Sequence, residues 1–144
     1  MTDLILYENG NGGDLQLKGN DLATTDGLTN QPYLAWFGGN LTDDWWGNKL
    51  LLTNDKSIQF TSYLENLLQN TALNSDGRNR IENFIKKDLE FLRTFVNIET
   101  SVSIISDDKL QIVVKLTKPD SLNNISYSYI WDATQNELIE QRTL

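Results

Sequence analysis

The hydrophobic period of the chain changes once, near Val96, and this change constrains the fold more than any other feature. Before it, Ile81, Phe84, Ile85, Leu89 and Leu92 recur at the three- and four-residue spacing of one helix face. After it, Leu110, Ile112, Val114 and Leu116 alternate with Lys109, Gln111, Lys115 and Thr117, the period of a strand with one face buried. Residues 102–106 precede this strand across Asp107-Asp108, and Ile125, Tyr127, Tyr129 and Trp131 follow it after Pro119-Asp120-Ser121. Three such segments joined by short turns make an antiparallel meander. Helices first and strands afterwards predict an α+β fold: two antiparallel helices packed on a small antiparallel sheet, with a C-terminal three-stranded meander and short N-terminal strands.

The helices have recognisable ends. Asn54 or Asp55 caps a first helix running to about residue 70, with Phe60, Tyr63, Leu64, Leu67 and Leu68 on one stripe. Asn74-Ser75-Asp76-Gly77 connects it to a second helix over 78–94, capped by Ser75 or Asp76, whose apolar face continues through Phe95 and Val96. Upstream, residues 4–7 and 14–18 read as short strands around the turn Asn9-Gly10-Asn11-Gly12-Gly13, where Gly and Asn supply positive φ. Asp26-Gly27 is a turn signal. Residues 31–37 fit either a strand or one helical turn, because Pro32 is compatible with both. Residues 136–144 form a short polar tail anchored by Leu138 and Ile139, free to fray or to dock on a neighbour. No internal repeat and no linker is visible. The chain reads as one domain: a strand and loop region over 1–53, a helical pair over 54–96, and sheet plus tail over 97–144.

The 144 residues are enough for a core, since a domain of this size buries about 70% of the surface its unfolded chain exposes. No run approaches the roughly 20 apolar residues that span a bilayer, so no membrane partner is expected. The first residues lack a basic stretch leading into an apolar one, which gives no expectation of a secretory signal. The net charge of −8 repels a phosphate backbone, and the basic residues do not form a patch. Arg78, Arg80, Lys86, Lys87 and Arg93 are interleaved with Glu82, Asp88 and Glu90, the pattern of a solvated helix face with Glu82 and Lys86 as an i,i+4 pair. No nucleic-acid partner is expected.

Catalytic chemistry is restricted by what the chain lacks. It has no histidine and no cysteine, which removes serine triads, thiolate nucleophiles and the commonest zinc ligands. Carboxylate chemistry of the glycosidase type remains, and it needs two carboxyls facing one cleft, one of them with a raised pKa. Glu65, Glu82, Asp88 and Glu90 all lie on helices, where exposed charge is the economical reading. Asp43-Asp44 and Asp107-Asp108 are oxygen donors without the spacing of a calcium loop, so turn and cap duty accounts for them. The glycines before Asp14 lack the Gly-Lys-Ser/Thr ending of a phosphate cradle. No enzyme activity, metal or cofactor is expected.

Three of the four tryptophans, Trp36, Trp45 and Trp46, fall within eleven residues, two of them in a glycine-flanked turn. Such rings plug a core, anchor a protein partner or stack on a sugar. Asp26-Gly27-Leu28, Trp45-Trp46-Gly47-Asn48, the long amphipathic helix ending near Phe95, and the strands closing with Pro119-Asp120 and Tyr127-Ser128-Tyr129-Ile130-Trp131 follow in a familiar order. In this the chain resembles the small baseplate proteins of Mu-like phages, related to the lysozyme-like wedge component of T-even phage baseplates. Lys49 stands where many relatives have arginine. The resemblance implies a structural subunit of a contractile tail baseplate, made in the bacterial cytoplasm and residing in the virion tail. Its implied partners are other wedge proteins and tail tube or sheath proteins, with several copies in a sixfold assembly. The expected interface comprises Trp36, Phe37, Asp43, Asp44, Trp45, Trp46, Gly47, Asn48 and Lys49, with Asp26, Gly27, Pro119 and Asp120 as structural turns. Cell-wall hydrolysis and carbohydrate binding are the alternatives.

Overall fold

The computed structural model describes residues 2–8, 13–25, 27–38, 45–51 and 55–144. Its centre is a four-stranded antiparallel sheet in the order β10-β9-β8-β7, built from β7 (Asn97–Ser106), β8 (Lys109–Thr117), β9 (Asn124–Asp132) and β10 (Glu137–Thr143). Alternation in β8 does what its period requires: Leu110, Ile112, Val114 and Leu116 are buried, and the residues between them are half-exposed. Tyr127, Tyr129 and Trp131 of β9 and Val102 of β7 join the same core. On the opposite face, Gln111 donates to Ser128 Oγ and Lys115 reaches Glu99.

The fold is α+β, with three short helices contributing to one core. These are α1 (Gln31–Phe37), α2 (Leu64–Asn70) and α3 (Ser75–Asp88). Ile81, Ile85 and Leu89 from the α3 region, Leu64 and Leu68 from α2, and Ala35 and Trp36 from α1 are buried in the same cluster as the sheet residues. Among the described residues no helix is long and apolar enough to cross a membrane.

The structure revises three of these expectations and decides one that was open. The first helix is cut short: Lys56–Ile58 is a 3₁₀ turn capped by Asp55, residues 59–63 belong to neither helix nor strand, and α-helix begins only at Leu64. The alternative cap, Asn54, lies outside the described residues. Tertiary bonds account for the break, since Asn48 takes both the N–H and the carbonyl of Phe60, and Asp88 takes the N–H groups of Tyr63 and Leu64. The second helix starts earlier, on an Asn74 cap that accepts from Gly77 N, and gives way after Asp88 to a 3₁₀ turn, Glu90–Leu92. Phe95 consequently leaves the apolar face and is 68% exposed, while Val96 stays buried. The 31–37 segment is helical, with Pro32 in its first turn where the missing N–H costs nothing. The C-terminal tail is a fourth strand, paired along β9, with Leu138 buried.

The N-terminal segments form a small module instead of two plain strands. β1 (Asp3–Leu4) pairs with β6 (Thr24–Thr25), β2 (Leu6–Glu8) with β3 (Gly13–Leu15), and β4 (Leu17–Lys18) with β5 (Asp21–Leu22). The three ribbons meet at Ile5, Gln16 and Ala23, whose backbones bond in a ring: Ile5 N to Ala23 O, Gln16 N to Ile5 O, and Ala23 N to Gln16 O. The ring pairs backbone groups that a break in each strand would otherwise leave without a ladder partner. Each junction residue is preceded by Asp-Leu, at Asp3-Leu4, Asp14-Leu15 and Asp21-Leu22, so the module carries a short threefold repeat. The two-residue gap between β4 and β5 holds Gly19 at φ +68°, a conformation that glycine adopts without strain. Asn30 ties the module down, accepting from Leu6 N and donating to Asp3 and to the Leu4 carbonyl.

Candidate functional site

The tryptophan segment folds back on the helices and is built largely inward. Trp36 is fully buried on α1, edge-on to Tyr129 at 5.3 Å between ring centroids, and its carbonyl accepts from Ser62 Oγ. Phe37 stacks on Trp131 with the planes within 11°. Such pairs add about 0.5–1.5 kcal/mol beyond the area they bury. Trp36 therefore belongs to the core, which removes it from any surface the folded chain offers a partner. The reason is its place on the buried face of α1, one residue on from Ala35.

Trp45 is half-buried. Its indole N–H donates to the Leu34 carbonyl at 2.8 Å, and its ring meets Phe60 edge-on at 5.3 Å. Phe60 in turn contacts Phe91. Gly47 lies beneath the Trp45 ring, where any Cβ would collide with the six-membered ring carbons. That close approach explains the glycine after the tryptophan pair. Asn48, also buried, has its amide committed to Phe60. Gly47 and Asn48 thus hold the turn together from inside, and Lys49 is exposed at its outer side with Leu50 and Leu51. Asp43, Asp44 and Asp26 lie outside the described residues, as does the Trp46 side chain. Of the remaining turn residues, Gly27 has φ +85° and precedes the 3₁₀ turn Leu28–Asn30, and Pro119 and Asp120 form the exposed turn after β8.

The helix carboxylates do not converge on a cleft. Glu82 is held between Arg78 and Lys86, and Glu90 pairs with Arg93. Glu65 is half-buried near Tyr33, Phe37 and Trp131. Asp88 differs from its neighbours, and nothing in its sequence position marks it. It is buried at the end of α3, where Oδ2 accepts from Tyr63 N and Leu64 N at 2.9 Å each. Burial pushes its pKa up to about 6, against the opposing pull of these two bonds and of Lys87. A raised carboxyl is what a general acid needs, yet this one is buried, with Oδ2 committed to the start of α2 and Oδ1 without a partner among the described residues. Asp108 is held below the usual carboxylate range by Ser106 Oγ and Lys109, consistent with turn duty. Among the described residues no three acidic groups are placed to share a metal ion.

No family model matches the chain, and no curated protein and no solved structure is significantly similar to it.

Proposed function

We propose that the chain is a structural subunit of the baseplate of a contractile phage tail or phage-like particle. In this reading it is made in the bacterial cytoplasm, takes its place in several copies around a sixfold axis, and contacts wedge proteins together with tube or sheath proteins. It acts without catalysis or cofactor. The observation that supports the reading is the edge of the sheet at β7, which among the described residues pairs with β8 alone. This strand is ten residues long, contains neither lysine nor proline, and carries exposed Ile104 and Ile105. Natural edges are normally guarded by charge, proline or shortness. The other edge follows that rule, since β10 is shorter and bears Glu137, Glu140 and Arg142. Arg78 donates to the Val102 carbonyl of β7; the remaining backbone groups of this edge can pair with a strand from another protein, the kind of contact by which a baseplate subunit would start a sheath.

Ile105 sits at the register shift of β7 and makes no cross-strand pair, so Ile105→Lys tests the edge without removing a core residue. The variant should melt like the parent and be lost from purified tail particles. Particles carrying it at the parental level would overturn the proposal. Purified protein incubated with peptidoglycan should release no muropeptides; release abolished by Glu65→Gln or Glu82→Gln would replace the assembly reading with a hydrolase.

A further inference from the structure

The N-terminal module presents an apolar face that the rest of the chain leaves open. In its three ribbons the cross-strand pairs flanking the junction are Leu4–Thr24, Leu6–Leu15 and Leu17–Leu22, at equivalent positions around the ring of backbone bonds. Directly paired residues share a face of their ribbon, so five leucines and one threonine gather on one side. Leu4, Leu15, Leu17 and Leu22 are 36%, 38%, 67% and 39% exposed. Where this face meets the sheet, Leu6, Leu15 and Leu17 line a groove of about 730 Å³ together with Tyr127, Gln141 and Thr143.

The segment that builds this face is acidic in sequence. Residues 1–30 contain five acids and a single base, a net −4 that is half the charge of the whole chain. Asp3, Asp14 and Asp21 each precede one of these leucines and accept from its N–H, and Asp14 lines the groove together with Leu6, Leu15 and Leu17. The lone base, Lys18, is the cross-strand partner of Asp21.

We propose that this face docks a segment of another protein in which apolar side chains alternate with lysine or arginine. Charge complementarity selects the occupant. Two copies of the module would bring −4 against −4, and both nucleic acid and anionic lipid would meet the same repulsion. A basic amphipathic segment covers the leucines and neutralises Asp14 at the groove, within a segment whose net charge is acidic throughout. The inference rests on the assembly reading for the existence of a partner and adds that partner's chemistry and landing site.

The test uses the full chain and three short fluorescent peptides, in which leucine alternates with lysine, leucine with glutamate, and serine with lysine. The leucine–lysine peptide should bind, more weakly as salt is added, while the other two should not. Leu17→Asn/Leu22→Asn and Asp14→Asn/Asp21→Asn change only exposed side chains, so melting should hold while affinity falls about tenfold or more in each. The asparagines keep an acceptor for Leu15 N and Leu22 N, which separates charge from local structure. Failure of the leucine–lysine peptide to bind, equal binding of the leucine–glutamate peptide, or affinity untouched by both double variants overturns the proposal. Dimers in sedimentation that disappear in Leu17→Asn/Leu22→Asn also overturn it, by giving the face to a second copy. Peptide binding is read on the isolated chain and particle incorporation on Ile105→Lys, so either idea can fail without the other.

Discussion

The phenol of Tyr129 and the indole N–H groups of Trp36 and Trp131 are buried in the sheet core without a hydrogen-bond partner among the described residues. Burial drives the Tyr129 pKa upward, so the hydroxyl stays neutral and contributes only an unsatisfied polar atom. Removing such an atom while keeping the ring recovers part of its desolvation cost, about 1–3 kcal/mol for a buried group left unpaired. Tyr129→Phe should therefore raise the denaturation midpoint, or leave it unchanged; a fall would reveal a bond to the hydroxyl. Asp88 is divided between the two cases: its Oδ2 caps the start of α2, while its Oδ1 is buried without a partner among the described residues. Its folded pKa of about 6 lies above the ordinary carboxylate value of 3.8, so the folded state holds the proton more tightly. The stability this contributes is fully present below pH 3.8 and is lost as pH rises through about 6, on the order of 2–3 kcal/mol. Asp88→Asn keeps an acceptor for Tyr63 N and Leu64 N without a charge. Thermal scans should show the parent weakening between about pH 4 and 7, with that slope reduced in the variant; parallel curves would remove Asp88 as the titrating group.

Elements were legible where periodicity was long, and misjudged where a distant side chain decided them. The alternation of β8 and the stripe Ile81, Ile85, Leu89 required only the local sequence, and both face the core. The helix expected from residue 56 fails because Asn48 and Asp88, 12 and 25 residues away from their backbone partners Phe60 and Tyr63, take up backbone groups ahead of Leu64. No pattern within residues 56–63 records those bonds. The tail became β10 for a related reason, since three apolar residues in nine form a strand only when β9 is beside them. Leu138→Ala should cost about 2–5 kcal/mol, the range for a buried leucine, read as a lowered denaturation midpoint. An unchanged midpoint would return the segment to a frayed tail. The threefold Asp-Leu repeat at 3, 14 and 21, against the expectation of no internal repeat, is concealed by its unequal spacing until the three ribbons meet.

Across the whole molecule, protection should be uneven. β8 is flanked by strands on both sides and its core-facing residues are buried, whereas the N-terminal module rests on short ribbons with exposed side chains. Local opening draws on regions with few buried apolar contacts, so amides of 13–25 should exchange orders of magnitude faster than those of 110–116 in native-state hydrogen exchange. Equal protection would mean that the module opens only with the core. The candidate site divides in the same way. From composition alone came the net acidic charge, the lack of histidine and cysteine chemistry, and the placing of helices before sheet, because these depend on residue type and local period. That Trp36 is core, that Trp45 covers Gly47, and that the open leucine face lies on the first 25 residues were decided only by tertiary structure. A large apolar side chain reads the same whether another element covers it or not, and which rings and leucines are covered depends on contacts between residues far apart in the chain.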